Sequence, residues 1–179
     1  MYIEILILSH LAGRPNHAYG IKKSAGAILG DEFTLNNNLL YPALRRFEEM
    51  GAVSREVQRQ QGRPDKHVYQ LTGRGMEVLQ ELLREFPPEV ATDENEFQVR
   101  VAFFGLIDPP ARLEILESRR AVLEKRLAHV KNLIAGGGRE RISAEYPFAI
   151  RLVEFQERQT RSELDWIAQL EQEIKQAES

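Results

Sequence analysis

A proline at position 42 constrains this chain more than any other residue. Proline has no backbone N–H, so a helix tolerates it only where no backward hydrogen bond is made, within the first turn. Around it Leu40, Leu44 and Phe47 fall at i, i+4 and i+7, one apolar stripe of a helix. Together these facts place the helix start near Asn37 or Asn38. Asn36, Asn37 and Asn38 carry side chains that accept bonds from the unpaired N–H groups of such a start, and Gly51 supplies the stop. Away from the stripe lie Asn38, Pro42, Arg45 and Glu49, with Arg46 beside them.

The segments on either side extend the pattern. Tyr2–Ala12 is almost wholly apolar, so periodicity does not separate a buried helix from a buried strand. Gly13-Arg14-Pro15-Asn16 breaks the chain, and His17–Leu29 reads as a short helix stopped by Gly30. After Gly51, Ala52–Gln60 is strand-like, Gln61-Gly62-Arg63-Pro64-Asp65 is a turn, and Lys66–Leu71 is a second strand. Thr72 caps a further helix to about Phe86, with Met76, Leu79, Leu82 and Leu83 as its buried face, before Pro87-Pro88. The ribbon holds Arg63 at its tip and Arg59 and Lys66 on its flanks. A helix-turn-helix followed by a β-ribbon wing arranges these pieces economically. The polar side of one helix would enter a major groove while the wing sets cations on adjacent phosphates.

Composition narrows the classes. The chain has 179 residues, ample for a core without staples, and no Cys, which excludes disulfides, thiolate metal sites and a cysteine nucleophile. Its four His are too scattered for local metal-ligand spacing, so no metal or other cofactor is expected. The longest apolar run, Ile5–Leu8, is far shorter than a membrane span, and Glu4 sits where a signal peptide would be basic, so a cytoplasmic protein is expected. Gly136-Gly137-Gly138 lacks the Gly-Lys-Ser/Thr of a phosphate loop, and no catalytic constellation stands out; an enzyme is not expected. Residues 1–88 carry a net +1 and residues 89–179 a net −4, with most of the local basic excess inside 45–74. That segment suits either a polyanion or a solvated surface.

The second half is helical. Phe97, Val101 and Phe104 share a face of an apolar segment that ends at Asp108-Pro109-Pro110. Leu113, Leu116, Leu123, Leu127, Val130 and Ile134 then follow a heptad, with Arg120 at the skipped position, which argues for helix-on-helix packing in a long hairpin or a dimer. A last helix is expected from about Tyr146 to Ala177. Its apolar blocks, the second holding Trp166, Ile167 and Leu170, flank a polar stretch Gln156–Glu163 that either faces water or lines a polar cavity. The domains expected are a winged helix-turn-helix over 1–88 and a helical dimerisation domain over 89–179. The fold class is mainly α with a small β-ribbon.

At this point the chain resembles the PadR-like bacterial transcriptional regulators, in particular the subgroup with an extended helical C-terminal domain. His17-Ala18-Tyr19-Gly20-Ile21 is similar to that family's second-helix motif. Leu40-Tyr41-Pro42-Ala43-Leu44-Arg45-Arg46-Phe47-Glu48 resembles its recognition-helix signature, and Gly62-Arg63-Pro64 with Lys66 and Tyr69-Gln70-Leu71-Thr72 resembles its wing. Ala18 and Gly20 depart from the usual motif, as does the Asn run at the helix entry. The resemblance makes the first segment a helix. It also implies a homodimer built through the C-terminal helices, repression at dyad operators, and release by a small organic effector in similar members.

Each candidate residue has two readings. Asn36, Asn37 and Asn38 either cap the helix or read adenine in the groove. Tyr41 either donates to a phosphate or packs beneath the wing. Arg45 and Arg46 either meet DNA or pair with Glu48 and Glu49. Tyr19, Lys22 and Lys66 are candidates for the DNA backbone, and Arg63 is the leading wing contact. Leu113, Leu116, Leu123, Leu127, Val130, Trp166, Ile167 and Leu170 are candidates for the dimer seam. Phe97, Phe104, Phe155 and Trp166 either line an effector pocket or fill the core. The alternative function is a winged-helix adaptor that binds a protein partner without specific DNA binding.

Overall fold

The computed structural model describes residues 1–30, 35–59 and 66–177, and these form two compact units. The first comprises Met1–Phe86 with Asp93–Asp108, and the second Pro87–Thr92 with Pro109–Ser179.

Unit 1 is built around helix α1 (Tyr2–Gly13), whose Ile5, Leu6, Ile7, Leu8 and Leu11 are all buried. A helix apolar on every side must be enclosed. Here α1 contacts α2 (Ala18–Leu29), α3 (Asn37–Glu49), strand β3 (Lys66–Leu71), α4 (Gly73–Arg84) and α5 (Glu94–Ala102). This settles what periodicity left open. The ribbon pairs β2 (Val53–Gln58) antiparallel with β3, Val53 opposite Leu71 and Gln58 opposite Lys66. A two-residue strand β1 (Asn16–His17), not expected from the sequence, adds to the free edge of β3 opposite Tyr69 and Val68 and makes the sheet order β1-β3-β2. So short a strand has no periodicity to read.

In place of one boundary near residue 88, the chain passes between the units three times, after Phe86, Thr92 and Asp108. Helix α5, expected in the second domain, packs on α1 and α2 within unit 1. Its Arg100 is wholly buried. Nη1 donates to Glu96 Oε2 at 2.5 Å, Nη2 donates to the carbonyls of Leu82 and Glu85 at 3.2 and 2.8 Å, and the guanidinium lies 4.8 Å over the Phe86 ring. A cation is thus spent on the unpaired carbonyls at the C-terminal end of α4, where the helix dipole favours it. Burial pushes the Glu96 carboxyl up, but hydrogen bonds from Arg100, the Tyr2 N–H and the terminal amine outweigh it and hold it below the usual carboxylate range.

In unit 2, α6 (Pro109–Ile134) and α8 (Ala149–Ala177) form a hairpin, joined by a short helix α7 (Gly138–Glu145). α7 was not expected, and the last helix starts at Ala149 rather than near Tyr146. The heptad closes inside the chain. Leu116, Leu123 and Ile167 are at most 1% exposed, so they have no surface to give a second copy, and Leu127 and Val130 are also buried. Leu113 and Leu170 are half-buried. Nor is the polar middle of α8 simply solvated. Thr160 is buried, and Glu163 accepts from Arg119 Nε and Nη2 at 2.7 and 3.1 Å while Arg119 Nη1 donates to the Ala91 carbonyl at 2.7 Å. The buried cation is Arg119. Arg120, the residue at the skipped heptad position, is half-buried and pairs with Glu171. Among the described residues no helix is long and apolar enough to cross a membrane.

Candidate nucleic-acid interface

Helix α3 begins at Asn37, with Asn36 as its cap: the Asn36 side chain accepts from the Leu39 N–H at 3.0 Å. The start agrees with the sequence argument, but Pro42 is the sixth helical residue, one turn further in than that argument allowed. It leaves the Asn38 carbonyl without its helical donor, at an end where both residues are exposed and water can serve instead. At the other end Gly51 adopts φ +69°, its N–H donates to the Glu48 carbonyl at 3.0 Å, and the Ala52 N–H donates to the Phe47 carbonyl at 2.8 Å. This is the paired-bond stop that glycine permits. It turns the chain directly into the wing.

Between these ends α3 divides cleanly. Leu40, Ala43, Leu44 and Phe47 are buried, while Asn36, Asn37, Asn38, Tyr41, Pro42 and Arg45 are exposed. The two arginines go different ways. Arg46 reaches back to Glu4 of α1 and lies 5.7 Å over the Phe47 ring. Arg45 has no hydrogen-bond or ion-pair partner among the described residues. Neither pairs within α3, as the sequence reading allowed; Glu48 instead takes Arg55 of β2 at 3.0 Å. Burial pushes the Tyr69 hydroxyl up, with Glu48 adding to the effect and Arg55 opposing it. Tyr41 stays about half exposed, so its ring is not covered by the wing.

A side chain just before helix α2 helps to fix its start. The Asn16 Oδ1 accepts from the His17 N–H at 2.8 Å, and its amide nitrogen lies 2.7 Å from His10 Nε2. A Cβ at position 20 would fall 2.1 Å from that Oδ1, so Gly20, a departure from the resembling motif, is what admits the Asn16 amide. Burial, and then Arg14, lower the His10 pKa, which suits a ring nitrogen accepting from the amide. Tyr19 is strongly exposed, its ring stacked on His17 with centroids 6.3 Å apart. Lys22 reaches across to α3, Nζ donating to Asn37 Oδ1 at 3.2 Å. Lys66 is exposed on β3, and Arg63 lies outside the described residues.

The residues expected at an effector pocket are not gathered. Phe97 and Phe104 are buried in unit 1, Phe97 stacked on Phe86 at 6.2 Å, whereas Phe155 and Trp166 are exposed on unit 2. The four therefore do not line one cavity within either unit. An open groove of about 610 Å³ in unit 2 is lined instead by Leu113, Glu114, Glu117, Ser118, Arg120, Glu171 and Lys175. Sequence reasoning missed Asn16 and Arg100. The i, i+4 pair Glu96–Arg100 in an otherwise apolar segment was the available signal for the second; nothing local marked the first.

A helix pair with an exposed polar second helix, followed by an antiparallel ribbon, defines unit 1 as a winged helix-turn-helix. Residues 7–81 match the model of the Transcriptional regulator PadR-like family, and the chain belongs to that family of transcription regulators. Among solved structures it is similar to smu.1704 from Streptococcus mutans, with 31% identity over 47% of this chain and 74% of that one and a TM-score of 0.40. It is also similar to a Bacillus subtilis PadR in complex with operator DNA, with 18% identity over 97% of this chain and 99% of that one and a TM-score of 0.46. A third, smu.1604c from Streptococcus mutans, has 19% identity, covers 93% of this chain and 96% of that one, and has a TM-score of 0.42. No curated protein matches the chain.

Proposed function

We propose that the protein is a sequence-specific DNA-binding repressor acting as a homodimer on a dyad operator. The outer side of α3 enters the major groove and the β2–β3 ribbon lies along phosphates. The observation that carries this reading is the division of α3. Its apolar side is consumed by the core, while Asn37, Asn38, Tyr41 and Arg45 stand exposed, with half-buried Lys22 of α2 bonded to Asn37. In this scheme Arg45, Tyr41 and Lys66 hold DNA, Asn36 is a cap, and Arg46 braces α3 on α1. For the second copy, the support comes from the first turns of α8 and the residue just before it. Phe148, Leu152 and Phe155 fall at i, i+4 and i+7 and are 80%, 57% and 49% exposed, an apolar stripe that water does not favour.

A salt titration on DNA from upstream of the gene tests the reading. Each phosphate neutralised releases counterions, so specific binding through about six to ten contacts falls by roughly 10³–10⁵ between 50 and 200 mM salt. A flat response on every duplex would overturn it. Light scattering should give a dimer at micromolar concentration; a monomer would remove the dyad.

A further inference from the structure

We infer that Lys22 and Asn37 act as one unit that reads guanine, with Lys22 the positioning residue for the Asn37 amide. The inference rests on the DNA-binding reading above and deepens it. Left to itself, an Asn carboxamide on a recognition helix suits adenine: its oxygen accepts from the N6 amino group while its NH2 donates to N7. In this protein one of the two lone pairs of that oxygen is taken, because Lys22 Nζ donates to Asn37 Oδ1 at 3.2 Å. Two consequences follow from elementary chemistry. The NH2, a donor, stays wholly free for a base, while the oxygen keeps a single lone pair. Beside it stands an ammonium, which has three donors and no acceptor.

Adenine would have to bring its own amino donor against that ammonium. Guanine presents N7 and O6, two acceptors, and matches a donor pair. Of the neighbouring side chains on α3, Asn38 also carries an exposed carboxamide, and the others add no free acceptor. Asn36 Oδ1 is occupied by the Leu39 N–H, and Arg45 and Arg46 are donors only. The arrangement depends on both helices of the helix-turn-helix. α2 delivers the ammonium and the cap at Asn36 sets where Asn37 begins α3, so neither residue specifies the pairing alone.

The test is selection from a randomised duplex library with the full-length protein, followed by affinity measurements on the selected site and its single-base variants. The wild type should show one half-site position at which guanine is preferred over adenine by about 5- to 150-fold. Asn37→Ala should flatten the preference there. Lys22→Met frees the carboxamide oxygen, so the preference should shift toward adenine, while Lys22→Arg, which keeps the donors, should retain guanine. Asn37 is exposed and Lys22 half-buried, and circular dichroism checks that each variant folds. Uniform weakening by Lys22→Met with the base preference unchanged and the salt slope reduced by about 1 would make Lys22 a phosphate contact and overturn the inference. So would a guanine preference indifferent to both substitutions. Failure of the wild type to select any sequence would instead sink the DNA-binding reading, and the inference with it.

Discussion

Two glycines in the first turn of α4 should respond in opposite ways to the same added methyl. At Gly75 a Cβ would fall 2.0 Å from the Ala52 carbonyl oxygen and 2.7 Å from Leu71 Cδ1, whereas ordinary contact begins near 3.4 Å. Relief requires α4 to move by roughly 1.4 Å from the base of the wing. That carbonyl anchors the junction, accepting from the Thr72 N–H at 3.1 Å, while the single Thr72 hydroxyl proton lies nearer the Gly51 carbonyl, at 2.7 Å, than the Ala52 carbonyl, at 3.1 Å. Thr72 Oγ1 also accepts from the Gly75 N–H at 3.0 Å. Overpacking costs about 1–3 kcal/mol and each strained hydrogen bond about 0.5–1.5. Gly75→Ala should therefore lose about 3 kcal/mol, or roughly 12 °C in the melting of a unit of this size. At Gly73 nothing lies within 4 Å of a Cβ, so Gly73→Ala should be neutral or gain up to about 1 kcal/mol by restricting the unfolded chain. Urea titrations of full-length protein by circular dichroism give both midpoints. Equal stability of Gly75→Ala and wild type, or comparable damage at Gly73, would refute the close approach of α4 to β2.

Three further outcomes follow from the same geometry. Glu163→Gln should weaken unit 2 by about 3–5 kcal/mol by leaving the buried Arg119 charge uncompensated, and Arg119→Met with Glu163→Met should recover much of that in denaturant titrations. Arg45→Ala should cut DNA affinity several-fold more than Arg46→Ala, because Arg46 is committed to Glu4; equal losses in anisotropy titrations would contradict the placement of the two. The lowered Glu96 carboxyl contributes stability that is complete above its ordinary value and lost as pH falls through its folded value. The gap between wild type and Glu96→Gln in melting temperature should therefore close on acidification below about pH 4.5, and a gap constant with pH would dismiss the Glu96–Arg100 pair.

Much of unit 1 was legible because its signals are local. Pro42, the asparagine run and the Leu40/Leu44/Phe47 stripe located α3 within one residue, and Gly51 marked its end. The β2–β3 ribbon was visible from alternation about a Gly-Pro turn. What the chain alone did not disclose depends on distant partners. Arg45 and Arg46 are adjacent and chemically identical, and only the presence of Glu4 in α1 separates a free cation from a brace. Asn36 and Asn37 differ in the same way, one taken by a backbone N–H and the other by Lys22 of α2.

The heptad of α6 determined that a helix must cover Leu116, Leu123 and Leu127, since apolar positions at this spacing demand a partner. It did not determine which helix. Tertiary packing decided that α8 of the same chain does so, across a layer where buried Arg119 meets Glu163, and that Phe148, Leu152 and Phe155 are left facing solvent. Periodicity records that a surface is buried, but the identity of what buries it is a long-range contact, and such contacts exist only once the chain has folded.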